Sequence, residues 1–274
     1  MISQREVQRF AYERQVPEQM IELDYVLTWL LGALASPKQS PRLIAKGGTT
    51  LKKVYFADWR YSEDLDFTCE QTLEPKQLED ILTQVCRRVR DAAGLEINVS
   101  SLEPRHDGET LRNITAYLDY IGPLQRTRRP RQLKVDVTFD EILVNAPVTH
   151  GLIRTFSDEP KPAARIVVYP LEEICAEKMR TLLQRTEPRD LYDVWRILSE
   201  RSDEIDTQVL TATLRTKCAH RRVIFTRAST ILSPERVSKY QIAWERRLRE
   251  QMPDIPPLES VVRETKRLLR EFEG

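Results

Sequence analysis

Two segments of this chain alternate carboxylates with apolar residues, a pattern that a half-buried β-strand accommodates and a helix does not. In "SEDLDF", Asp64 and Asp66 point one way while Leu65 and Phe67 point the other. In "LKVDVTFDE", Leu133, Val135, Val137 and Phe139 share one face; Lys134, Asp136, Thr138 and Asp140 share the opposite one. If the two strands are neighbours, Asp64, Asp66 and Asp136 converge on one side of a sheet that has an apolar layer beneath. Three hard carboxylate oxygens repel one another unless a divalent cation lies between them. Mg2+ or Mn2+, shared with water and substrate phosphates, is the natural occupant. The same alternation also describes an ordinary strand with one wet face. A second motif is needed to choose.

That motif lies just upstream. The chain has eight glycines, and its only Gly-Gly pair, Gly47-Gly48, follows the short strand-like "RLIAK" and precedes the helical pattern of "TTLKKVYF". Strand, Gly-Gly, helix leaves backbone N–H groups free to hold an anion. With the Thr49 and Thr50 hydroxyls beside it, the turn could grip a triphosphate whose metals sit on Asp64 and Asp66. Taken alone, a glycine pair is also a common turn. Neither the P-loop nor the dinucleotide fingerprint is present.

The chain changes character partway along. Helical periodicity is expected at 3–14 and 18–35, a strand at 65–68 and a helix at 75–93. Strands are expected at 95–102, 111–120, 133–139, 152–156 and 165–169. From 171 onward the pattern is helical, at 171–185, 189–200, 204–217, 234–250 and 258–272. This predicts an α+β chain, with a mixed sheet and helices over 1–165 and an all-helical domain over 166–274. In the helix from Leu171, Lys178 falls inside the apolar stripe of Leu171, Ile174, Cys175, Met179 and Leu182, with Glu173, Glu177 and Arg180 on the polar side. In the next, Asp190 shares its face with Leu191, Val194, Ile197 and Leu198, with Asp193 at the stripe's edge. Lys178 could snorkel to water, and Asp190 could serve the helix N-terminus. Two misplaced opposite charges on successive helices also suit a shared polar cleft.

"KGGTTLKKVYF…RYSEDLDF", "LKVDVTF" and "YPLEEICAEKMRTLL…PRDLYDVWRIL" together resemble, in order, the motifs of the AbiEii/AbiGii toxin family within the polymerase-beta-like nucleotidyltransferase superfamily. Thr50 and Thr181 stand where alanine is expected, and neither touches a proposed catalytic group. The resemblance implies a nucleotidyltransferase-like α/β domain with a helical domain closing over the cleft. It implies a toxin that transfers nucleotides from an NTP to RNA, with the tRNA 3′ end as a plausible acceptor, and a cognate antitoxin protein. On this reading Asp64, Asp66 and Asp136 hold the metals, and Gly47, Gly48, Thr49, Ser62 and Arg60 position the phosphates. Lys178 offsets the phosphate charge, and Asp190 joins it in the catalytic set. An NTP-dependent phosphotransferase, a small-molecule nucleotidyltransferase and a non-catalytic nucleotide-binding protein are the alternatives.

The net charge of +1 gives no long-range field for nucleic acid, so any RNA contact must be local. Arg126, Arg128, Arg129 and Arg131 of "RTRRPR" are the leading candidates, followed by "KCAHRR" at 217–222 and "WERRLR" at 244–249. Four scattered cysteines and three scattered histidines show no zinc spacing and read as reduced thiols of a cytoplasmic protein. The longest apolar run, "VLTWLLGALA", is too short to cross a bilayer, and no membrane partner is expected.

Overall fold

The structure is a computed structural model that describes residues 1–36, 41–125 and 130–270. The chain divides into two compact units, Met1–Glu141 with Pro147–Val168, and Ile142–Ala146 with Tyr169–Gly274. The helical unit therefore starts at Tyr169 and also takes in a five-residue segment from within the α/β half of the sequence.

The first unit opens with α1 (Gln4–Arg14) and α2 (Glu18–Leu34). Ser3 caps α1 by accepting from the Glu6 N–H, and Gln15 ends it in the left-handed region. β1 (Leu43–Lys46) runs directly into α3 (Gly47–Thr50), which continues as a π-turn over Leu51–Tyr55. β2 (Asp64–Cys69) follows, then α4 (Pro75–Ala93), β3 (Glu96–Asp107), β4 (Thr110–Ile121), β5 (Arg131–Thr138), β6 (Val148–Gly151) and β7 (Arg165–Val168). The start of α4 is set by a Glu74/Gln77 capping box and by Pro75, its end by Gly94 at φ 70°.

The strands form one mixed sheet in the order β3-β4-β5-β2-β1-β7-β6. β5 runs parallel to β2, and β1 parallel to β7; the remaining pairs are antiparallel. Leu65 and Phe67 of β2, Val135 and Val137 of β5, and Ile114, Ala116 and Leu118 of β4 are buried in one core with the apolar residues of α2 and α4. That apolar layer fixes the strand register, because a one-residue slip would bury the carboxylates.

A strand expected at 152–156 is absent, and β6 lies just before it. The segment's amides bond elsewhere. Leu152 N–H donates to the Ala164 carbonyl and Ile153 N–H to the Lys53 carbonyl, while the Thr155 and Phe156 amides donate to the Glu159 carboxylate. β3 is longer than its apolar alternation suggested, because its far end, Glu103–Asp107, is exposed and pairs only with β4.

The second unit comprises α5 (Leu171–Gln184), α6 (Pro188–Glu200), α7 (Thr207–His220), α8 (Pro234–Leu248) and α9 (Leu258–Arg270), with short 3-10 turns at Ser202–Glu204 and Ala228–Leu232. α7 starts three residues later than its periodicity suggested, because the Asp206 side chain caps it by accepting from the Gln208 and Val209 amides. Glu173, expected on a polar helix side, is fully buried. It pairs with the buried Lys217 at 2.8 Å and accepts from the Val144 and Asn145 amides at 3.1 and 3.0 Å. Those bonds attach the Ile142–Ala146 segment to α5.

Candidate active site

The parallel pairing of β2 with β5 sets Asp66 opposite Asp136 and Asp64 opposite Lys134. All four are partly exposed, while Leu65, Phe67, Val135 and Val137 are buried. Asp64, Asp66 and Asp136 therefore share the wet face of the sheet, as their alternation required. On the other side of β2, Lys46 of β1 is the register partner of Asp66.

The glycine pair belongs to the same site. Gly47 has φ +77°, and a Cβ on it would lie 2.2 Å from the Asp66 Oδ2. A Cβ on Gly48 would lie 3.0 Å from the Ser62 Oγ and 3.1 Å from the Arg60 Nη2. Only a residue lacking a side chain lets the backbone approach Asp66 this closely. The Thr49 hydroxyl donates to the Asp64 carbonyl at 2.6 Å, tying the turn to the start of β2, and the Thr50 hydroxyl donates to the Lys46 carbonyl at 2.7 Å. Thr49 thus braces the carboxylate strand with the hydroxyl that the sequence assigned to phosphate.

The Arg60–Ser62 segment is held by a residue that sequence reasoning passed over. Lys52, on the π-turn, donates to the Trp59 carbonyl at 3.2 Å, and its ammonium lies 4.0 Å from the centre of the Tyr61 ring. Burial pulls its pKa down to about 8, with the charges of Lys53 and Arg14 adding to the effect and those of Asp24 and Asp58 opposing it. Its neighbour Lys53 forms a buried 2.7 Å ion pair with Asp24 of α2. The π-turn explains how consecutive lysines both point inward. Such insertions recur at functional sites.

Lys134 and Thr115 were also missed. Lys134 Nζ lies 2.5 Å from the Asp136 Oδ2, and the Thr115 hydroxyl donates to Asp136 Oδ1 at 2.5 Å. Partial burial acts to lower the Lys134 pKa. The bond to Asp136 and the charges of Asp136, Asp64 and Asp66 outweigh it, and the pKa is raised. Lys134 was legible in the alternation of β5. Thr115 becomes visible only once β4 and β5 are in register.

Among the described residues, no three His, Cys, Asp or Glu side chains are gathered into a cluster able to hold a metal ion. The donor set nevertheless fits one. Three hard carboxylates share a face, and the charges of all three act on the Lys134 ammonium.

In the second unit, Lys178 is buried between two carboxylates, 3.0 Å from the Asp190 Oδ1 and 2.6 Å from the Asp193 Oδ2. Arg185 bonds the other Asp190 oxygen at 2.9 Å. Burial would raise the Asp190 pKa, but Lys178 and Arg185 hold it down at about 2. Lys178 does not snorkel, because its ammonium is matched within the unit. Asp193, placed at the edge of the stripe by periodicity, is fully buried.

Of the basic candidates, Arg126, Arg128 and Arg129 lie outside the described residues, and Arg131 opens β5 opposite Tyr120. Lys217 is excluded as an RNA contact by its burial against Glu173. In 244–249, Arg247 pairs with Glu187 and Arg249 with Glu245.

A mixed sheet that carries paired acidic strands beside a Gly-Gly turn, followed by a helical unit, defines a nucleotidyltransferase-type fold. The solved structures agree. MenT4, a nucleotidyltransferase toxin from Mycobacterium tuberculosis H37Rv, superposes with a TM-score of 0.67 at 21% identity, over 99% of this chain and 90% of that one. JHP933 from Helicobacter pylori superposes with a TM-score of 0.59 at 17% identity, over 94% and 93%. A search of curated protein sequences found no significant match. The model of the nucleotidyl transferase AbiEii toxin family, of type IV toxin–antitoxin systems, matches residues 29–270, and the chain belongs to that family. Among the described residues, no helix is long and apolar enough to cross a membrane.

Proposed function

We propose that this toxin transfers nucleotides from an NTP to RNA, with the tRNA 3′ end as acceptor, in a reaction that requires Mg2+ or Mn2+. The observation that carries the reading is the close approach of Gly47 to Asp66 on the sheet face that Asp66 shares with Asp64 and Asp136. Asp64, Asp66 and Asp136 would hold the metal, which supplies charge neutralisation for the phosphates and for the leaving pyrophosphate. Gly48, Ser62 and the buried Arg60 form the adjoining phosphate contact, with the guanidinium as the fixed cation. Thr49 and Lys52 keep the turn and the Arg60–Ser62 segment in position. Thr115 and Lys134 orient Asp136, which would help activate the attacking hydroxyl.

Lys178, Asp190 and Asp193 form a charge network that supports the helical unit and serves the reaction. Membership of a toxin–antitoxin family implies a cognate antitoxin, and the site of action is the cytoplasm, where NTP and RNA are found. Incubation with total RNA and each α-labelled NTP tests the reading. Label transferred to RNA from the α-phosphate supports it. Label from the γ-phosphate alone reassigns the chain to phosphotransfer.

A further inference from the structure

We propose that the exposed face of α9 binds the phosphate backbone of the acceptor RNA, an inference that rests on the RNA reading above and gives it a surface. Arg263, Lys266, Arg267 and Arg270, with Glu259, line a groove of about 600 Å3 against α8. At 1.5 Å per residue these four cations cover one helix face over a rise of about 10 Å. All four are exposed. Arg263, Lys266 and Arg270 have no hydrogen-bond or ion-pair partner among the described residues.

Three exposed cations on other helices are each neutralised by acids of the same helix. Lys76 pairs with Glu79 and Asp80, Lys239 with Glu235, and Arg249 with Glu245. On α9 the acids are set apart, because Glu264 is bonded to the Trp195 indole N–H at 2.8 Å and only Glu259 joins the basic face. The groove floor is apolar, and the cations stand along it. Leu258 and Val262 are only 6% and 8% exposed, and the half-buried Val237 of α8 completes the groove floor. Charge is what the surface offers, and counterion release is how a phosphate backbone uses it.

The test is binding of a fluorescein-labelled oligouridine, followed by anisotropy across a salt series, for the wild type and for Arg263→Gln/Lys266→Gln/Arg270→Gln. Loss of three phosphate contacts should lower the slope of log K against log salt by about 2 and weaken binding at least tenfold at low salt. A control with three paired surface cations removed, Lys76→Gln/Lys239→Gln/Arg249→Gln, should bind as the wild type does. Equal loss in the control would mean that net charge alone is responsible and would overturn the inference. So would an unchanged slope in the α9 variant, and so would weakened binding of poly-glutamate with RNA binding intact, which would reassign the face to an acidic protein. α-labelled NTP transfer by the wild type is measured alongside. Transfer to RNA together with an unaffected α9 variant refutes the α9 surface alone, whereas absence of transfer by the wild type refutes the reading beneath it.

Discussion

Replacing Lys178 with methionine tests what the central ammonium of the helical unit does. The stem is kept, so no core cavity opens, but Asp190 and the fully buried Asp193 lose the cation 3.0 and 2.6 Å away. Removing one partner of a buried ion pair costs about 3–5 kcal/mol, because the other charge stays buried and unmatched. That corresponds to a fall in Tm on the order of 10 °C for a chain of this size. The pH dependence has a definite sign. The Asp190 pKa is held down from 3.8 to about 2, so its contribution, about 2 kcal/mol shared between Lys178 and Arg185, is complete above about pH 4 and lost as pH falls through 2. The gap between variant and wild type should therefore be full at neutral pH and narrow toward pH 2. Thermal and urea denaturation between pH 7 and pH 2.5 measure it. A variant that keeps wild-type stability at pH 7 while losing all transfer would refute the charge accounting, and Lys178 would then be a group reserved for substrate.

Two further outcomes follow from the first unit. Gly47→Ala must accommodate a Cβ 2.2 Å from the Asp66 Oδ2 at φ +77°. It should lose about 1–2 kcal/mol of stability from the backbone alone, and displacing Asp66 should reduce transfer about 100-fold; wild-type turnover would show that Asp66 is not fixed by this contact. Lys52 has its pKa depressed from 10.5 to about 8, so the unfolded chain binds the extra proton between those values and wild-type stability rises with pH across them. The charge costs about 3 kcal/mol at neutral pH, and an unmet Trp59 carbonyl returns about 1–2 of that. Lys52→Met should therefore be more stable by about 1–2 kcal/mol at pH 7, with the gain gone by pH 10; equal destabilisation at both pH values would contradict this.

The carboxylate face was legible in the sequence because a strand's two-residue period is strict, and burying Leu65, Phe67, Val135 and Val137 leaves Asp64, Asp66 and Asp136 one place to point. The role of Gly47 was legible only as a conjunction. Its contact with Asp66 needs β1 and β2 paired in register, which no local pattern encodes. Lys52 was hidden by the π-turn, since a regular 3.6-residue reading cannot bury both it and Lys53. Glu173, Lys217 and Asp193 were misread as surface or edge residues, because amphipathic periodicity assigns charges to water and cannot anticipate ion pairs between helices. The far end of β3, Glu103–Asp107, is exposed and carried no apolar alternation to extend the strand beyond residue 102.

On the proposed function, Asp66 beside Gly47 supports metal-dependent nucleotide transfer to RNA. The most direct measurement is incorporation of α-labelled NTP into tRNA by the wild type and by Asp66→Asn, each with Mg2+ and with EDTA, with folding checked by thermal denaturation. Label is expected in the tRNA only from the wild type with Mg2+, and the Asp66→Asn protein is expected to be folded and inactive. Full incorporation by Asp66→Asn, or incorporation by the wild type in EDTA, would contradict it.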